Sequence, residues 1–405
     1  MAWKVTCVMQ ERLKFIAKWL EQEWSMAALC REFGISRRAG YRLVARYQEE
    51  GEAGLRDRSR APHHHPNALS TEQEAQILQA RQAHSTWGPR KLHAWLKRKH
   101  PQAPWPCPST MGALLHREGL TVPCRRRRHT PPYTQPFATA DRPNALWCAD
   151  FKGWFRTKDG LPCYPFTLSD AHSRFLLRCQ ALQRTDQQQV QPLMEAAFRE
   201  YGLPQAIRTD NGPPFASTAL GGLSRLSIWW VKLGIVPERI AAGRPEQNGR
   251  HERMHRTLEE AIRPPQANRR CQQRAFDRYR PIFNEERPHE ALNQATPGSC
   301  YVPSERTYPL RLPQLEYPAQ AQVRRVRHSG EIRWHCGLVY ISQTLAGELV
   351  ALLPLDERHW QLCFGPLHLA VLDDHSHRLI IPKTKPNRQS KAGIITPNVL
   401  PMCSV

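Results

Sequence analysis

The feature that most limits what this chain can fold into is a change of period near residue 141. From there, stretches of strand length alternate with one of helix length. Ala145 to Phe155 is rich in aromatic and apolar residues, and Cys163 to Leu168 and Arg174 to Cys179 follow as further strands. Gln187 to Tyr201 has the spacing of an amphipathic helix and is closed by Gly202, after which Gln205 to Thr209 is another short strand. Three strands, a helix, another strand and more helices specify an α/β or mixed-sheet domain, placed at 141–300. Beyond about 320 the chain becomes a run of short strands: Glu331 to Cys336, Leu338 to Ser342, Glu348 to Leu353, Trp360 to Phe364 and Leu367 to Leu372. That pattern predicts a small β-barrel-like domain over 301–381. The Pro-, Lys- and Ser-rich residues 382–405 are expected to be a disordered tail.

The first 140 residues read as helices. Leu13, Ile16, Ala17 and Leu20 lie at helical spacing, a second short helix from Met26 to Phe33 ends at Gly34, and a third follows Ser36. Three helices with a glycine in the turn before the last form the helix-turn-helix pattern, whose final helix enters the major groove of DNA. Here that helix carries Arg37, Arg38, Arg42 and Arg46, and the domain is placed at 1–53. Gly, Pro and charge make 54–69 a linker, and its three adjacent histidines lack the preformed geometry of a metal site. A second helical unit at 70–122 begins with Ser70 as a plausible N-cap, runs through Trp87-Gly-Pro-Arg-Lys-Leu and reaches a helix near Ser109 to Glu118. It has the look of another helix-turn-helix. Residues 123–140 form a basic linker, in which Arg125, Arg126, Arg127 and Arg128 are candidate phosphate contacts.

Charge agrees with that reading. The 405 residues carry a formal net charge of +22, and the first 140 hold about twice as many basic as acidic residues, a surplus suited to a polyanionic partner, nucleic acid above all. The 12 cysteines form no C-x-x-C pair, which leaves no zinc-ribbon or redox signature. No apolar run approaches the roughly 20 residues of a membrane span, so the expectation is a cytoplasmic, nucleoid-associated protein with no membrane partner.

The informative residues are carboxylates. In Trp147-Cys-Ala-Asp150-Phe an aspartate lies in the middle of an otherwise apolar strand, where an unpaired charge is costly. In Arg208-Thr-Asp210-Asn-Gly212 a second aspartate stands where a strand turns, a position that taken alone is an ordinary Asx turn. A third acidic residue lies in Gly243-Arg-Pro-Glu246-Gln-Asn248-Gly-Arg-His-Glu252-Arg-Met-His-Arg256, which leads into a helix ending before Pro264. Gathered carboxylates suit phosphodiester chemistry, because two hard divalent cations, Mg²⁺ or Mn²⁺, require oxygen ligands and clamp the attacking and leaving oxygens of an in-line displacement.

These strings, together with Asp170-Ala-His-Ser-Arg174, Gly249-Arg-His-Glu252-Arg and Phe283-Asn-Glu-Glu-Arg-Pro-His289, resemble the integrase catalytic core of bacterial insertion-sequence transposases. The resemblance is strong over about 140–300 and extends to the linker and second helical unit. It implies an RNase H-like fold, a D-D-E triad, two Mg²⁺ ions, binding to the terminal inverted repeats of the element, and action as a multimer pairing two DNA ends. Residue by residue, Asp150 and Asp210 match the aspartates and Glu252 the glutamate. The 41 residues between Asp210 and Glu252 exceed the family's usual spacing, which Glu246 would satisfy. Glu252 is preferred because it follows Asn248-Gly249 and stands inside the helix, whereas Glu246 directly follows Pro245; Ala219 to Leu226 then reads as a short insertion. Asn248 and Arg256 flank the glutamate and are expected to contact DNA. The implied activity is cleavage of the element's ends and joining of their 3′-hydroxyls to target DNA. A catalytically inactive DNA-binding regulator is the competing reading, and a structure-selective nuclease a third.

Overall fold

A computed structural model of the chain describes residues 7–58, 68–121, 140–240 and 249–381. Arg125 to Arg128, Glu246 and Asn248 lie outside the described residues. The chain divides into two compact units, Met1–Ser70 and Thr71–Val405.

In the first unit, helices α1 (Val8–Leu20), α2 (Met26–Glu32) and α3 (Arg37–Glu50) close on Phe15, Ile16, Leu29, Cys30, Val44 and Leu55. Ser25 and Ser36 cap α2 and α3, each hydroxyl accepting a backbone N–H three residues on and satisfying a donor the helix cannot. Gly40 stands inside α3 for a packing reason. A Cβ there would meet Cys30 Sγ at 2.5 Å, so only glycine lets α3 approach α2 this closely.

The second unit begins with α4 (Thr71–Ala83), α5 (Pro89–Lys99) and α6 (Pro108–Arg117) around Ile77, Trp87, Leu92, Leu96, Met111 and Leu114. The His84 ring stacks on buried Trp87 with centroids 3.8 Å apart. These helices dock on the segment 286–290: Arg98 donates to the Glu286 carbonyl at 2.6 Å, and Arg90 pairs with Glu290 at 3.1 Å.

The sheet of residues 146–239 is mixed. Strands β1 (Leu146–Phe151), β3 (Pro162–Asp170) and β4 (Leu176–Leu182) are antiparallel neighbours, with short β2 (Phe155–Arg156) on the start of β3; β5 (Ala206–Thr209) and β6 (Val236–Arg239) extend β1 in parallel. Helix α7 (Gln187–Tyr201) joins β4 to β5, capped by Asp186 and stopped by Gly202 at φ +76°. Strand alternation sorts side chains to two faces. Trp147, Ala149, Phe166 and Leu168 point to the face covered by α7 and α8 (Arg225–Lys232), against Met194, Phe198, Trp229 and Trp230. Cys163, Leu176 and Cys179 pack on the opposite face against α9 (Gly249–Ile262) and α10 (Arg269–Pro281), through Met254, Leu258, Phe276 and Tyr279.

After short α11 (Pro297–Cys300), the C-terminal part is a sheet in the order β13-β12-β11-β10-β7, built from β7 (Gln322–Arg325), β10 (Leu349–Pro354), β11 (His359–Phe364), β12 (Leu367–Asp373) and β13 (Arg378–Ile380), plus a separate hairpin of β8 (Glu331–Trp334) and β9 (Gly337–Tyr340). The sequence-based expectation of a barrel is corrected here: among the described residues β7 and β13 do not pair, and the sheet stays open. Its apolar face is covered instead. Ile332, Trp334, Val339 and Ile341 around the hairpin, and Ile228 and Val231 of α8, bury Val350, Leu352, Leu362 and Leu372, so burial does not require closure. The two edge strands are short, which limits their exposed backbone. No helix among the described residues is long and apolar enough to cross a membrane.

Candidate active site

Asp150 is the point where β1 emerges from the core. Leu146 to Ala149 are buried and Asp150 is partly exposed, a strand entering from the hydrophobic interior and presenting a carboxylate at its end. The parallel register pairs Cys148 with Arg208 on β5, and two residues further on Asp210 follows the end of that strand, level with Asp150. Gly212 N–H donates to the Asp210 carboxylate at 3.2 Å, the Asx turn that Asp-Asn-Gly encodes. Glu252 is exposed in the first turn of α9, whose buried positions His251, Met254, His255 and Leu258 turn toward the sheet.

Electrostatics links the three carboxylates. Burial above all, with the neighbouring charges of Asp210 and Glu252, pushes the Asp150 carboxyl up to about 7, against the Phe151 N–H and the Lys152 charge. Burial likewise raises Asp210. A carboxyl so disfavoured as an anion is suited to compensation by a cation.

The tightest gathering of potential ligand atoms, however, is Asp150 with His251 and His255, all within 4.8 Å of one another, and not the three carboxylates. The alternation explains it. Asp150 is on the face of β1 opposite Trp147 and Ala149, and Thr167 and Ser169 are on the same face of β3, toward α9. Thr167 Oγ1 contacts His251 Nε2 at 2.8 Å and His255 Nε2 at 2.7 Å and donates to the Asp150 carbonyl at 3.1 Å; Ser169 Oγ contacts His251 Nδ1 at 2.9 Å. His255 Nδ1 stands 3.9 Å from Asp150 Oδ2. Burial holds His255 down at about 3 and lowers His251 well below its usual range, so both rings are neutral. The signal that could have found them is the i, i+4 spacing of two histidines bracketing Glu252.

Other motif residues build the scaffold. Asp170 is buried and accepts from Asn144 N–H and from Ser173 N–H and Oγ, so it organises a turn. Asn284 accepts from Leu176 N–H and donates to Leu176 O, tying the segment after α10 to β4. Arg287, also buried, pairs with Glu260 at 3.4 Å and so braces the helix carrying Glu252. On α3, Arg37, Arg38 and Arg42 are exposed beside exposed Tyr41, whereas Arg46 is half-buried and donates to the Arg56 carbonyl. Arg256 is exposed on α9.

Comparison with known proteins agrees with this organisation. Helix-turn-helix and homeodomain-like family models match residues 11–63 and 39–115, and two integrase core domain models match 140–245 and 233–297. The insertion element IS407 uncharacterized 31.7 kDa protein of Burkholderia multivorans is 27% identical over 279 residues, 67% of this chain and 93% of that protein. The Pol polyprotein of Radiation murine leukemia virus is 32% identical over 123 residues, 30% of this chain but only 20% of the polyprotein's length. Among solved structures, the HTLV-2 integrase catalytic core domain in complex with magnesium is 16% identical over 40% of this chain and 99% of that one, with a TM-score of 0.31. A simian T-cell lymphotropic virus intasome bound to a PP2A regulatory subunit is 18% identical over 71% of this chain and 96% of that one, with a TM-score of 0.34. The chain thus carries an integrase core domain over residues 140–297, has helix-turn-helix domains ahead of it, and is similar over two thirds of its length to an insertion-element protein.

Proposed function

We propose that this protein is a DNA transposase that binds the terminal inverted repeats of its element, cleaves the DNA ends and joins the 3′-hydroxyls to target DNA. What supports the reading is that Asp210, level with Asp150 on the adjacent parallel strand, and Glu252, on the helix packed against that face of the sheet, both bear electrostatically on Asp150. Asp150, Asp210 and Glu252 would hold Mg²⁺ or Mn²⁺, in all two ions, and the bound cations would supply Lewis-acid stabilisation of the attacking and leaving oxygens. Asp150 is the fixed member, set in a strand directly after four buried residues, and Asp210 is held by its own turn. Glu252 is exposed on its helix. Arg37, Arg38 and Arg42 form the cationic face of α3 that would enter a major groove, with Arg256 near the scissile phosphate and the arginines of 125–128 on the backbone. The protein would act as a homo-oligomer pairing two ends.

The test is strand transfer with synthetic terminal repeats. Asp150→Asn, Asp210→Asn and Glu252→Gln should each lower joining at least about a hundredfold while retaining repeat binding, because the amide keeps the shape and loses the charge. Glu246→Gln should remain active. If Glu252→Gln joins normally and Glu246→Gln does not, the third carboxylate is Glu246; if all three variants join DNA as the wild type does, the reading falls.

A further inference from the structure

We propose that His255 is a further ligand, through Nδ1, of the divalent cation held at Asp150; this rests on the reading that a cation is held there. The argument is one of hydrogen counting. Thr167 Oγ1 has a single proton and three polar neighbours: the Asp150 carbonyl, which only accepts, and the Nε2 atoms of His251 and His255. The assignment that satisfies all three contacts gives the proton to the carbonyl and makes each Nε2 a donor. A ring whose one proton is placed on Nε2 carries a lone pair on Nδ1. His251 uses its own to accept from Ser169 Oγ at 2.9 Å, so both its nitrogens are engaged within the fold.

His255 differs. Its Nδ1 lone pair faces Asp150 Oδ2 at 3.9 Å, beyond hydrogen-bond reach, and with the ring's proton on Nε2 it has none to offer the carboxylate. Two electron-pair donors thus face each other across a gap. Donors about 2.1 Å from one ion stand about 3.0 Å apart at a right angle and about 4.2 Å apart in line, a range that contains this separation. The side chain is also fixed, 6% exposed and anchored by Thr167, so the nitrogen is held in place before any ion arrives. Hydrogen bonding therefore engages both nitrogens of His251 and leaves the Nδ1 of His255 as the imidazole donor beside Asp150. An imidazole nitrogen in an otherwise oxygen set favours Mn²⁺ over Mg²⁺.

Binding, separate from activity, tests this. The full chain, with His63, His64 and His65 changed to glutamine in every sample so that no adjacent histidines elsewhere contribute a nitrogen signal, is titrated with Mn²⁺ and with Mg²⁺ and its Mn²⁺ complex examined by pulsed EPR. The expected result is a directly coordinated nitrogen in the otherwise unaltered chain, lost in His255→Gln and kept in His251→Gln, with Mn²⁺ affinity falling at least about tenfold in His255→Gln and Mg²⁺ affinity falling less. A Mn²⁺ complex that depends on Asp150 but shows no nitrogen coupling overturns the proposal without using any histidine variant, as does coupling that survives His255→Gln. If Asp150→Asn binds both ions as tightly as the parent, the reading of Asp150 as a cation site fails, and this inference fails with it.

Discussion

Two aspartates at the ends of strands in the same compact unit are treated in opposite ways. Asp373, closing β12, accepts two hydrogen bonds from the Arg358 guanidinium at 2.8 and 2.7 Å and backbone N–H groups from His375 and Ser376, which hold its carboxyl well below the usual range. Asp150, closing the buried part of β1, faces Asp210 and Glu252 and is pushed up to about 7. The first carboxylate stabilises the fold as an anion; the second is kept as an anion only against the fold's preference. A group whose ionisation opposes folding, placed level with a second aspartate and beside a helix bearing a glutamate, is what a cation-dependent site requires of its scaffold.

The comparison can be sharpened by removing charges of each kind. The largest effect is expected from the scaffold. Arg287→Ala removes a buried side chain together with its ion pair to exposed Glu260 and should cost roughly 2 kcal/mol in a urea titration, chiefly through the packing lost with the arginine stem. An unchanged midpoint would mean that α9 does not depend on this brace. A smaller, pH-dependent effect comes from His289, which burial, assisted by the charges of Arg287 and Lys91, lowers to about 3. The unfolded chain takes up this proton near pH 6.5 and the folded one near 3, so stability should decline as pH falls through that window, and His289→Gln should make the decline shallower. Identical slopes in the two proteins would remove His289 from the account. Smallest is Asp373→Asn. Its carboxyl is depressed in the fold, so the stabilisation it gives is present above the unfolded value and lost as pH falls through the folded one; the variant should melt slightly below wild type at neutral pH and converge with it in strong acid. Variant and wild type melting together at neutral pH would show that the Arg358 pair contributes nothing.

The sequence made legible whatever depends on neighbours along the chain. The bounds of α7 follow from Asp186 and Gly202, and α2 and α3 from Ser25, Gly34 and Ser36, because caps and left-handed glycines act locally. Asp150 is conspicuous as a charge in an apolar strand. Helix α5 is less visible, since Lys91, His93, Lys97, Arg98 and Lys99 leave few apolar positions to betray a period. The open C-terminal sheet reads as a barrel from sequence because nothing local says what covers an apolar face; here a hairpin and α8, over 100 residues away from much of the sheet, do so. The histidines of α9 are hidden for the same reason. Their partners, Thr167 and Ser169, are more than 80 residues earlier, and only the pairing of β1 with β3 puts them on the face that α9 covers. Likewise Arg46 looks like its neighbours on α3, and only the fold shows it bonded to the Arg56 carbonyl.

The central claim is that Asp150 is held as an anion for a cation and not for the fold, and the most direct measurement is thermal unfolding of wild type and Asp150→Asn at pH 8, with and without millimolar Mg²⁺. Because the folded carboxyl is raised to about 7, stability is lost as pH rises through that value, and at pH 8 the wild type bears the full penalty. The account predicts that metal-free Asp150→Asn melts higher than metal-free wild type, by a few degrees, and that Mg²⁺ raises the wild type by linkage and leaves the variant unchanged. Asp150→Asn melting below wild type without metal, with both proteins responding equally to Mg²⁺, would contradict it.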